Sequence, residues 1–154
     1  MKTLILGIGS PFGDDQFGWL VAQKIKEMDI DPQSIIIEVT DRPGLNLLQY
    51  LEDSHYGKII LIDTVNANET PGKHFYLNAD QISQFTGFLS SHNIGVAPSI
   101  ALAKALGIHI AHIQFYGVQG KYLYTKSEKI STEIQEQCDI MAEEIYKAIA
   151  NSDC

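Results

Sequence analysis

The chain has 154 residues, 45% of them hydrophobic, enough for one domain with a substantial core. Its 19 acidic residues outnumber its 11 basic ones, giving a net charge of −8, and no basic patch offers itself to a phosphate backbone; nucleic acid is therefore excluded as an expected partner. No apolar run approaches a membrane span and no charged-then-apolar leader precedes the first apolar run, so the expected location is cytoplasmic.

Residues 3–8, TLILGI, read as a buried strand, and a glycine-rich loop follows. Helical spacing of Leu20, Val21, Ile25 and Met28 predicts a helix over Phe17–Met28. SIIIEV at 34–39 is a second strand. A short amphipathic helix over Leu45–Leu51 follows the Pro43-Gly44 turn, and KIILID at 58–63 is a third strand. A polar turn at 66–73 leads to a short edge strand over Lys73–Leu77 and a helical turn over 80–85. Pro98 suits the first turn of a helix that Gly107 stops. Ile110–Gly117 is another strand. From Ser131, a good N-cap, a last helix keeps Ile134, Cys138, Met141, Ile145 and Ile149 on one stripe.

This alternation predicts an α/β fold, a single domain over 1–154, with a mainly parallel twisted sheet of about five strands and helices on both faces. Ligands of such sheets sit beyond the carboxyl ends of the strands, where the winding reverses. Two hydrophobic runs deliver an aspartate to that edge: Asp15 in GIGSPFGDDQFG and Asp63 in LIDT. If the first and third strands are neighbours, those loops start about 5 Å apart. One aspartate of the Asp14-Asp15 pair suffices to cap the following helix, and Asp14 takes that role; Asp15 is then free to face the crevice.

His92, in the loop SSHNIG, is the histidine that can join them; His55 reads as exposed, His74 as part of an edge strand, His109 and His112 as outward-facing. Two carboxylates and an imidazole suit nickel, zinc or manganese and leave coordination positions open. Gly7, Gly9 and Gly13 invite a dinucleotide reading, but Asp14 and Asp15 occupy the helix N-terminus where a pyrophosphate needs positive potential. Serine catalysis lacks its nucleophile elbow. Cys138 reads as a small core residue. Arg42, the only arginine, is either an exposed solubilising charge or a planar fork for a substrate carboxylate.

The ordered set GIGSPFGDDQFG, LIDT and SSHNIG resembles the hydrogenase maturation endopeptidases, over nearly the whole chain. The resemblance implies a five-stranded, phosphorylase/hydrolase-like α/β fold. It implies removal of a C-terminal peptide from the precursor of a nickel–iron hydrogenase large subunit after nickel insertion. The family's site residues fall on Asp15, Asp63 and His92, as metal-recognising and catalytic groups whose roles stay unresolved. Nickel is expected to come with the substrate, with another divalent cation possible in its place; the partner is the precursor, and the protease is expected to be a monomer. The loop after the second strand, Asp41-Arg42-Pro43-Gly44, departs from the family's common Asp-Gly-Gly-Thr. It borders the same crevice, so Asp41 and Arg42 are assigned to substrate binding. The competing class is a non-catalytic metal- or nucleotide-binding module on the same fold.

Overall fold

The computed structural model describes residues 1–42, 46–53, 55–89 and 96–152. Among them the apolar runs become five strands of one sheet: β1 (Lys2–Gly9), β2 (Ile35–Asp41), β3 (Tyr56–Val65), β4 (His74–Asn78) and β5 (Ile113–Gln119). Their order is β2-β1-β3-β5-β4, with every pairing parallel except β4 against β5. Among the described residues five α-helices accompany them: α1 (Phe17–Lys26), α2 (Leu47–Leu51), α3 (Ala79–Gln84), α4 (Val96–Ala105) and α5 (Thr132–Ser152).

Side chains alternate across a strand, so each central strand feeds two cores. Ile5 of β1 and Ile60 and Ile62 of β3 pack with Phe17, Val21 and Ile25 of α1 and with the apolar stripe of α5. Leu4, Leu6 and Ile8, with Ile59 and Leu61, face the other way onto α2, α3 and α4. Each of these side chains, when fully buried, stabilises the fold by roughly 1.5–3 kcal/mol. This double burial is why β1 and β3 read as unbroken apolar runs.

The chain leaves β1 toward β2 on one side, while β3 lies on the other, so the winding reverses between β1 and β3. Helix α1 lies directly over that junction. A Cβ on Gly18 would come within 2.2 Å of the Ile8 carbonyl oxygen and 2.6 Å of that of Ile62, so only glycine permits the approach. The helix start is thereby fixed over the carboxyl edge of the two central strands.

Pro98 stands in the first turn of α4, as expected, but two boundaries differ from expectation: helix α1 stops at Lys26 and β5 starts only at Ile113. The residues before β5 form a turn in which the rings of His109 and His112 stack with centroids 4.9 Å apart. His112 is half-buried rather than outward-facing, and that burial holds its pKa below the ordinary value. Both histidines lie at the opposite edge of the sheet from Asp15 and Asp63. No helix among the described residues is long and apolar enough to cross a membrane.

Candidate active site

Beyond Gly9 the chain turns back over the end of β1 into a short 3-10 turn, Gly13–Gln16. The Ser10 amide donates to the Asp15 carbonyl at 3.1 Å. The same carbonyl oxygen would lie 2.3 Å from a Cβ on Gly9, so the fold-back needs glycine there. Asp63 lies opposite Gly117 near the end of β3 and is 3% exposed. The two aspartates therefore reach one crevice from neighbouring strands, at the switch point where α/β sheets bind ligands.

Arg42 stands between them. Its amide donates to the Gly9 carbonyl at 3.0 Å, which extends the β2–β1 ladder by one residue and aims the side chain at the crevice. Trp19 of α1 steadies the same strand end, its Nε1 donating to the Thr40 carbonyl at 2.8 Å. The Arg42 Nη1 donates to Asp15 Oδ2, and Nη2 donates to both Asp15 Oδ1 and Asp63 Oδ1, each at 2.6 Å. Arg42 is thus no solubilising surface charge. Its fork has found carboxylates of its own chain, one of them in the paired geometry guanidinium favours. Asp63 Oδ1 also accepts the Thr64 amide at 2.7 Å.

Burial pushes the pKa of Asp63 up to about 7; the positive charge of Arg42 opposes that rise and the negative charge of Asp15 adds to it. Burial works against the charge of Arg42 as well, but Asp15 and Asp63 raise its pKa above the ordinary value, so the guanidinium stays charged. The crevice thus contains a buried carboxyl able to gain and lose a proton near neutrality beside a fixed positive charge.

Asp14 has a different task from the helix cap expected of it. It is fully buried, and its carboxylate accepts the amides of Lys121, Tyr122 and Ser131 at 2.7 Å each and the Ser131 hydroxyl at 2.9 Å. Its own carbonyl accepts the Thr64 hydroxyl at 2.7 Å. Asp14 therefore ties the site loop to the segment before α5 and to β3. Ser131 precedes α5 as predicted, but its hydroxyl is spent on Asp14. Neither Asp14 nor Thr64 stood out in the sequence as a support of the site.

Of the proposed cation ligands, Asp15 and Asp63 are brought together; His92 lies outside the described residues, as do Pro43, Gly44, Ser90 and Ser91. Among the described residues no group of three His, Cys, Asp or Glu is placed to hold a metal ion. Asp41 closes β2 opposite Gly9, exposed at the rim of the crevice.

Cys138 is fully buried in the α1–α5 core, its Sγ donating to the Ile134 carbonyl at 3.5 Å. Burial pushes its thiol up to about 12. Iodoacetamide at pH 8 should accordingly leave Cys138 unmodified in the folded chain and alkylate it in denaturant, read by peptide mass spectrometry. Labelling of Cys138 in the folded chain would reopen a thiol role.

The family model described as hydrogenase maturation protease matches residues 21–148, most of the chain. The chain belongs to the hydrogenase maturation protease family. A putative hydrogenase maturation protease of Methanocaldococcus jannaschii is 28% identical over 152 residues, covering 94% of this protease and 96% of that relative. The hydrogenase maturating endopeptidase HybD from E. coli shares the fold, with a TM-score of 0.81 at 20% identity, covering 99% of this chain and 94% of that one. HycI from Thermococcus kodakarensis, a [NiFe] hydrogenase maturation protease, gives a TM-score of 0.70 at 21% identity, with 95% and 90% covered. The single-domain α/β sheet of the protease is thus the fold of these structures, and the crevice at its switch point is the candidate active site of a protease.

Proposed function

We propose that this protease removes a C-terminal peptide from the precursor of a nickel–iron hydrogenase large subunit, and that Asp15, Asp63 and His92 recognise nickel already bound to that precursor. The observation that carries the reading is the convergence of Asp15 and Asp63 on one positive group, the Arg42 guanidinium. A pair of carboxylates that holds a cation in the resting chain has the charge and spacing to meet a metal. Oxygen donors with an added imidazole fit nickel among the divalent ions. Asp41, at the rim, and Arg42 are assigned to contact with the precursor.

Two roles fall to the same groups, recognition of the metal and transfer of a proton. Substrate-borne nickel would polarise the scissile carbonyl or a water. Asp63 is the stronger candidate for general base because it is the more deeply buried of the two carboxyls, and burial in the resting crevice raises its proton affinity. Asp15 is the more exposed of the two carboxyls, 15% against 4%, and is less deeply desolvated.

The test is incubation of the protease with nickel-loaded and nickel-free precursor, followed by mass measurement of the large subunit. The loaded form should be shortened and the free form left intact. Equal cleavage of both would remove metal recognition from the account. Binding of both without cleavage of either would make the chain a non-catalytic binding module.

A further inference from the structure

We propose that Arg42 is an internal competitor of the substrate's metal: its guanidinium fills the cation position between Asp15 and Asp63 and must withdraw before a metal can dock there. The inference rests on the reading of that pair as a cation site. Asp15 Oδ1 and Asp63 Oδ1 are each 2.6 Å from the same nitrogen, Arg42 Nη2, so they lie no farther apart than twice that distance. A divalent ion bound to both oxygens at about 2.0–2.2 Å would have to take the place of that nitrogen. Guanidinium and metal cannot share it, on volume alone. Charge forbids it as well, because two cations a few ångströms apart in a partly desolvated crevice repel strongly.

The fork is held in a way that gives this competition weight. Its side chain is 14% exposed, and its partners are 15% and 4% exposed, so the three bonds are little screened by water. The backbone beneath is pinned by the Arg42 amide on Gly9 and by Trp19 on Thr40. Displacement is therefore a swing of one side chain about a fixed strand end. A free ion gains only its bonds to a few ligands on this chain and must evict the fork to make them. A metal presented by a docked precursor brings the whole protein–protein contact to the same exchange. Arg42 thereby favours metal delivered on substrate over metal in solution, which makes it a specificity residue for the state of the precursor.

The experiment uses the free protease and nickel chloride alone, with affinity read by isothermal titration calorimetry. Arg42→Met keeps the apolar stem and removes the charge; Arg42→Ala is the parallel variant should packing of the stem matter. Each should bind nickel at least about tenfold more tightly than wild type, with thermal stability lowered without nickel and restored by it. Asp63→Asn in the Arg42→Met background should erase the gain. If nickel binds wild type and Arg42→Met alike, while Asp63→Asn weakens both, the cation site stands and the competition is overturned. If Arg42→Met binds more weakly than wild type, the fork organises the carboxylates instead of blocking them, which also overturns it. If Asp63→Asn changes nothing in either background, the cation-site reading fails and the inference falls with it.

Discussion

Asp63→Asn should leave the protease folded and unable to process nickel-loaded precursor, with cleavage reduced by about 10²–10⁴-fold or more, as expected for loss of a general base that also serves as ligand. The substitution keeps the shape of a side chain that is 3% exposed and removes only its charge and its capacity to take a proton. Folding should not suffer, and the reason is the sign of the pKa shift. Asp63 is raised from the ordinary 3.8 to about 7 by burial, so the folded state holds the proton more tightly than the unfolded chain does. The stability linked to that proton is fully present below about pH 3.8 and is lost as pH rises through about 7. At pH 8 the wild type carries a desolvated charge that the asparagine variant lacks, while Arg42 keeps both of its bonds to Asp15. Melting of Asp63→Asn at pH 8 should therefore match or exceed that of wild type, and this advantage should shrink as pH falls from 8 to 4. Cleavage within tenfold of wild type would mean that Asp63 is neither ligand nor base.

Asp14→Ala should do the opposite, destabilising the fold rather than removing a reacting group. The change strands three backbone amides and one hydroxyl around a fully buried position. Each donor left unsatisfied costs about 1–3 kcal/mol, so the four together cost on the order of 4 kcal/mol or more. For a chain of this length that lowers the melting temperature by roughly 10 °C or more. Asp14→Asn should fall between, since one amide oxygen can still accept while its NH2 faces other donors. Calorimetric melting of the three proteins at pH 7 decides it. A loss below about 1 kcal/mol in Asp14→Ala would show that water replaces the carboxylate easily and that the segment before α5 is held by other contacts.

The fold was legible because its signals are repeated many times over. Ile and Leu on both faces of β1 and β3, a helical stripe on α5 and glycine or proline at the junctions all point to one architecture. β5 starts later than the sequence suggests because Ile110, though apolar, opens a turn in which its carbonyl accepts the Ile113 amide at 3.1 Å, and it packs on the α4 side of the sheet. Within the site, Asp15 and Asp63 could be read from the sequence because each follows an apolar run. The company they keep could not. Arg42 bonds with residues 27 and 21 positions away, and no periodicity in the chain encodes such a meeting. Asp14 was the harder case. A short aspartate before a helix reads as a cap, and only the three-dimensional return of residues 121–131 reveals that its oxygens are already taken.

That return also sets an order of events in synthesis. Asp14 emerges early, while its partner Ser131 is made 117 residues later. α5, which begins one residue beyond Ser131, must then close over α1 with its buried stripe. A nascent chain that has released only β1 to β4 carries both aspartates and the arginine, yet the loop holding Asp15 lacks the bonds that residues 121–131 make to the Asp14 carboxyl and keeps only those from β2 and β3. Domains fold as units, and contacts this distant in sequence form late. A tethered, half-made protease would therefore be proteolytically silent, and activity would begin only with release of the finished helix.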